Sequence, residues 1–169
     1  MAHIRRAETG DLDGIVAVIL ESWRRTYPDV LPEEYLAGPV EDDLAGLWTP
    51  EHLERALVMV SDDAGRISGV AATFPAYEGG PYVDNLHVAL AVEGQGVGRA
   101  LMAGTARALR DAGETCLHLT VAEANPRAIG FYKRLGGAFQ PAFEDNMFGN
   151  PVMAYPVVWD DLDALARLG

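Results

Sequence analysis

The sequence predicts an α/β (α+β) fold built on one mixed sheet, and three observations carry this. From residue 57 onward, strand-like runs follow one another across short turns, as in an antiparallel meander. A strand, a glycine loop, a helix and a second strand then occupy 82–121 and make one crossover unit, which calls for parallel strands. Residues 11–57 carry apolar side chains at helical rather than alternating spacing.

"HIRRAET" (3–9) reads as a short first strand. Asp11 can cap a helix running to about Tyr27, with Leu12, Ile15, Val16, Ile19, Leu20 and Trp23 on one face and Pro28 ending it. "LPEEYLA" (31–37) is a second helix with Pro32 in its first turn, "GPVEDD" (38–43) a loop, and "TPEHLERAL" (49–57) a helix with a Thr-Pro start. "LVMVSDDAGRISGVAATF" (57–74) gives two strands joined at "DDAGR", and "AYEGGPY" (76–82) a further turn. "YVDNLHVAL" (82–90) is a strand, 97–113 a helix closed by Gly113, and "TCLHLTV" (115–121) a strand. "NPRAIGFYKRLG" (125–136) is a helix with Asn125 as N-cap and Pro126 at its first position. A strand at 151–159 and a terminal helix complete the chain.

Composition narrows the function. Of 169 residues, 49% are apolar, enough for a sizeable core, yet no apolar run reaches the roughly 18–20 residues of a membrane helix. No apolar h-region follows the N-terminal arginines, so no secretory signal is expected and a cytoplasmic protein is the simplest reading. Cys116, the only cysteine, can form no internal disulfide. Thirteen basic against 25 acidic residues leave a net charge of −12, which opposes nucleic-acid binding and suits a cationic small molecule or basic peptide. Ordinary solubility would explain the charge equally well. His3, His52 and His118 show no ligand spacing, so no metal is expected.

"EGQGVGRALM" (93–102) places Gly94, Gly96 and Gly98 where a helix begins. Helix-start amides lack partners and carry positive potential, and glycines let several amides converge on one anion. The loop is a candidate diphosphate cradle. It is not a dinucleotide fingerprint, because Arg99 and Leu101 stand where a third glycine would fall. The P-loop pattern is absent too.

This stretch, after "LHVALAV", resembles motif A of the GNAT superfamily, the GCN-related N-acetyltransferases, usually written Q/R-x-x-G-x-G/A. "NPRAIGFYKRLG" resembles the family's next motif, and "SWRRTYPDVLPEEYL" (22–36) its substrate-side helices. The resemblance implies one domain over 1–169, with a central sheet of about seven strands splayed between 82–90 and 115–121. It implies acetyl-CoA as co-substrate, held by Glu93, Gly94, Gln95, Gly96, Val97, Gly98 and Arg99, by the backbone of Leu86, His87 and Val88, and by Asn125 and Tyr132. Two registers fit: Glu93 at the Gln/Arg position, or Gln95-x-x-Gly98-x-Ala100. In the first, the Glu93 carboxylate is expected to turn to solvent, with Arg99 offsetting it.

Acetyl transfer to an amine needs a neutral amine, a donor for the carbonyl, and a proton or donor for the departing thiolate. The resemblance implies Tyr132 as general acid, though a core tyrosine would look the same. Asp84 is the candidate base. Glu78 and Glu21 are weaker candidates, and strand alternation places His87 on the opposite face from Asp84. Phe131 reads as simple core. Trp23, Tyr27, Tyr35 and Trp48, with acids such as Glu21, Glu33 and Asp42, could wall an amine pocket, or be core and wet face. The substrate residues expected are Glu21, Trp23, Tyr27 and Asp84. The expected function is N-acetylation of a small-molecule primary amine, with a protein N-terminus or lysine as the alternative acceptor and a homodimer possible. A non-catalytic acyl-CoA-binding module is the rival from another class.

Overall fold

The computed structural model describes residues 2–169. Strand β1 (His3–Arg6) leads through a 3-10 turn into helix α1 (Leu12–Thr26). Three short helices follow: α2 (Glu33–Ala37), α3 (Pro39–Leu47) and α4 (Pro50–Arg55). Strands β2 (Leu57–Asp63), β3 (Arg66–Phe74) and β4 (Tyr82–Val88) form the meander. Helix α5 (Val97–Asp111), strand β5 (Leu117–Ala122) and helix α6 (Pro126–Arg134) come next. Strands β6 (Ala138–Phe139), β7 (Phe143–Met147) and β8 (Asn150–Trp159) and helix α7 (Leu162–Ala166) finish the chain.

All eight strands join one mixed sheet in the order β1-β2-β3-β4-β5-β8-β6, with β7 also on β8. That is one strand more than the seven expected, because the short β6 and β7 lie in a stretch without a strong apolar alternation. Residues 38–43 are a correction: a loop was expected, but Pro39 opens α3. Proline fits a first helical position, and Val40 and Leu44, one turn apart, are buried against the sheet. Asp11 does not cap α1 either. Its carboxylate accepts from Arg5 at 2.7 and 2.8 Å and from the Glu8 amide at 2.7 Å, tying β1 to the turn before the helix.

The sheet separates two cores. On one face Leu101, Met102, Ala106 and Leu109 of α5 pack with Leu117, Leu119, Val157 and Trp159. On the other, Ile15 and Ile19 of α1 meet Val40, Trp48, Val58, Val60 and Val70. Pro156 is tolerated inside the sheet because its nitrogen, like its carbonyl, faces the gap where β6 stops and β7 has yet to start, so no ladder bond needs the missing N–H, while the Gln140 amide donates to the carbonyl. The site is positioned by a weak seam. β4 and β5 are parallel and share a single paired position, Tyr82 with His118, so they part toward their C-terminal ends. The β4 edge from Val83 to Val88 that faces β5 is left without a ladder partner.

Candidate active site

The glycine loop sits at the C-terminal mouth of that splay. Gly94 and Gly96 have φ of +76° and +86°, the left-handed region, and the space a Cβ would take at Gly94 is empty. Gly98 is needed for a different reason: a Cβ there would come within 3.2 Å of the Phe131 ring, which packs α6 onto the start of α5. Phe131 is therefore more than filler, since it sets how closely α6 approaches the loop. The amides of Gly94, Gly96, Val97, Gly98 and Arg99 donate to no protein acceptor among the described residues. The Val97 side chain is buried in the core, so only its backbone faces the loop, and the Gln95 amide group folds back onto the Ala91 carbonyl at 3.1 Å. Open space, five free donors and a helix dipole fit a diphosphate.

Glu93 departs from expectation. Its carboxylate does not turn freely to solvent but lies 2.7 Å from Arg127 of α6 and 3.6 Å from Arg25 of α1. Two arginines from distant segments offset it, not Arg99, and leave the rim of the loop positive.

β4 holds the second correction. Val83 faces Thr73 and Asn85 faces Ala72, so Asp84 is an extra residue, a β-bulge. The bulge breaks the alternation that would have set Asp84 and His87 on opposite faces. Asn85 Nδ2 donates to Asp84 Oδ2 at 2.7 Å, and Asn85 Oδ1 lies 3.3 Å from His87 Nε2. His87 Nδ1 in turn lies 2.9 Å from Ser22 Oγ of α1. Burial, with Arg25 adding to it, pushes the His87 imidazole down to about 4, so the ring is neutral. Asp84 stays open to solvent, yet the protein crowding it raises its carboxyl above the usual range; His52 and Asn85 pull the other way. Leu86 and Val88 turn their side chains to the α5 core.

Tyr132 of α6 is half-buried, packed edge-on against Phe131 and Trp159 with Tyr82 and Tyr27 nearby. Desolvation holds its hydroxyl proton far more tightly than in water. Tyr82 Oη bonds Thr120 Oγ1 at 2.9 Å across the seam, and Tyr77 stacks on Tyr82. On the other side of the opening, Trp23, Tyr27 and Phe148 form a mutually edge-to-face trio with centroids 5.1–5.7 Å apart. Phe148 comes from the β7–β8 turn, held at φ +51° beside Gly149 at +83°. Nothing in the sequence reading pointed to it, or to Ser22 and Asn85. The Phe-Gly pair between two extended runs was the available turn signal.

Other expected residues lie elsewhere. Glu21 leaves α1 on the side away from Trp23 and accepts from the Leu90 amide at 3.3 Å. Trp48 is core, its ring packed at a tilt against the buried His52, and Tyr35 ties α2 to Asp43 of α3. Asn125 caps α6 through the Ala128 amide at 3.1 Å. Among the described residues, no helix is long and apolar enough to cross a membrane.

Residues 17–137 match the Acetyltransferase (GNAT) family. The chain is similar to the uncharacterized N-acetyltransferase YuaI of Bacillus subtilis strain 168, 30% identical over 178 residues that span 99% of this chain and 98% of the relative. Its fold is shared by the PaiA N-acetyltransferase of Thermoplasma acidophilum in complex with coenzyme A, with a TM-score of 0.74 and 18% identity over 91% of this chain and 98% of that one. It is shared by yncA of Salmonella typhimurium, solved with its cofactor acetyl-CoA, at TM-score 0.71 and 17% identity over 95% and 94%. A ribosomal-protein-alanine N-acetyltransferase from Brucella melitensis aligns at TM-score 0.71 and 21% identity over 94% and 99%.

Proposed function

The chain belongs to the GNAT family of acetyltransferases, and from that premise we propose that it moves the acetyl group of acetyl-CoA onto the primary amine of a small molecule. The diphosphate would rest on the amides of Gly94, Gly96, Val97, Gly98 and Arg99, and the open edge of Leu86, His87 and Val88 would pair with the pantetheine arm. Acetyl-CoA supplies an activated thioester carbonyl; the chain's own residues do the rest.

Asp84 takes the proton. A lysine-like amine must shed one at a cost of roughly 4–5 kcal/mol at pH 7, and a crowded carboxylate with a raised pKa is a better base than a solvated one. As the new N–C bond forms and the C–S bond breaks, the Tyr132 hydroxyl is the donor for sulfur. Its proton is present across the working pH range. The same burial makes a free tyrosinate costly, so the hydrogen bond precedes transfer of the proton.

One observation carries the choice of a small acceptor. Phe148 packs on Trp23 and Tyr27 and so joins the β7–β8 turn to α1 over the acceptor side. A peptide running through would need that junction open. The test is a thiol-release assay with acetyl-CoA over polyamines, amino-acid derivatives, an aminoglycoside and an alanine-starting peptide. Turnover with a small amine well above the peptide supports the reading. Turnover on the peptide alone overturns the acceptor class, and coenzyme binding without thiol release throughout makes the chain a binding module.

A further inference from the structure

The bulge at Asp84 places four polar side chains in one line, and the hydrogen-bond chemistry of that line has only one direction. Asn85 Nδ2 donates to Asp84 Oδ2, so the Asn85 amide oxygen faces His87. An amide oxygen only accepts, so His87 Nε2 must carry the ring proton. The ring is neutral, which leaves Nδ1 bare, and the Ser22 hydroxyl must donate to it. Each donor thus points along the chain toward the carboxylate. The far end is anchored in α1, where Ser22 is only 8% exposed.

We infer that Ser22, His87 and Asn85 are positioning residues that hold the Asp84 carboxylate in one orientation through a directed hydrogen-bond chain. This rests on the reading of Asp84 as the base. The chain is not a proton relay, because the Asn85 amide cannot accept a proton on one side and pass one on at the other. Its work is geometric and electrostatic. Asp84 Oδ2 is held, while Oδ1 takes no protein hydrogen bond among the described residues and is left for the amine. A bulged residue has no ladder partner to fix it, so without the chain this side chain would sample several rotamers. The aligned dipoles also favour the ionised carboxylate, which the surrounding protein otherwise disfavours. The other groups that bear on this chain are His52 of α4, Tyr82 of β4 and Arg25 of α1.

The first test needs no acceptor. Long-range proton–nitrogen NMR on the full chain should find the His87 ring singly protonated at Nε2 between pH 5 and 8. A ring protonated at Nδ1, or one titrating near its ordinary value, overturns the chain. Carboxyl carbon NMR of Asp84 should move its titration to higher pH in Asn85→Ala; an unmoved titration counts against the inference. With an amine from the panel, Ser22→Ala should lower kcat about tenfold with KM for acetyl-CoA unchanged, and should lower it no further in an Asp84→Asn background. A loss that persists in that background shows a purely structural role and overturns the proposal. An Asp84→Asn enzyme of full activity defeats the base assignment itself. An inactive Asp84→Asn with Ser22→Ala and Asn85→Ala both as active as the parent defeats only the chain.

Discussion

The two ends of the proposed transfer site are built by opposite strategies. The phosphate end is one short run, residues 93–99, in which five backbone amides are left as free donors. The acceptor end gathers Trp23 and Tyr27 from α1, Asp84 from β4, Tyr132 from α6 and Phe148 from the β7–β8 turn, so its side chains span more than a hundred positions. An anion common to every turnover needs only amides and small residues, a local pattern. A specific acceptor needs a shaped wall, which only long-range packing can assemble.

Substitutions can break this contrast, and the largest effect belongs to the chemistry where the ends meet. Tyr132→Phe should lower kcat by about 10²–10⁴ while acetyl-CoA binding stays nearly intact, measured by thiol release and calorimetry. Unaltered turnover would remove Tyr132 from the mechanism. The acceptor side also carries a pH signature. His87 holds its proton less tightly folded (about 4) than unfolded (6.5), so the unfolded chain binds more protons between those values. Stability is therefore unaffected above pH 6.5 and falls as pH drops toward 4, by up to about 3 kcal/mol. Urea titrations from pH 7 to 4 should show this loss, and His87→Gln should flatten it.

At the phosphate end, Gly96→Val forces a β-branched residue to φ +86° and should weaken coenzyme A binding about 100-fold by calorimetry. Retained affinity would put the diphosphate elsewhere. Phe148→Ala should raise KM for a small amine about tenfold and leave KM for acetyl-CoA alone, separating the two ends. The smallest change is expected on the rim of the glycine loop. Glu93→Gln frees Arg25 and Arg127 and should tighten coenzyme A binding about 2–5-fold at low salt, fading as salt rises. Weaker binding would instead make the bridge between α1 and α6 the dominant role of Glu93.

The same contrast governs what could be read in advance. Elements with strong internal periodicity or clear caps, such as α1, α5 and α6, lie where expected, because their signals are local. β6 and β7 carry no such local signal, because the sheet, not their own composition, makes them strands. Strict alternation sets His87 and Asp84 on opposite faces, because it has no knowledge of a bulge, which arises from register against β3. The local sequence sends Glu93 to solvent because its partners, Arg25 and Arg127, lie 68 positions before it and 34 after it.

What the sequence alone determined is the order of the longer elements, the glycine turn and the family motifs, since backbone conformation and helix starts depend on neighbours a few residues away. Only the tertiary structure decided the partners of Glu93, the bulge that brings Asp84 into line with Asn85, His87 and Ser22, and the ring of Phe148 over α1. Those depend on contacts between segments far apart in the chain, which no local pattern encodes.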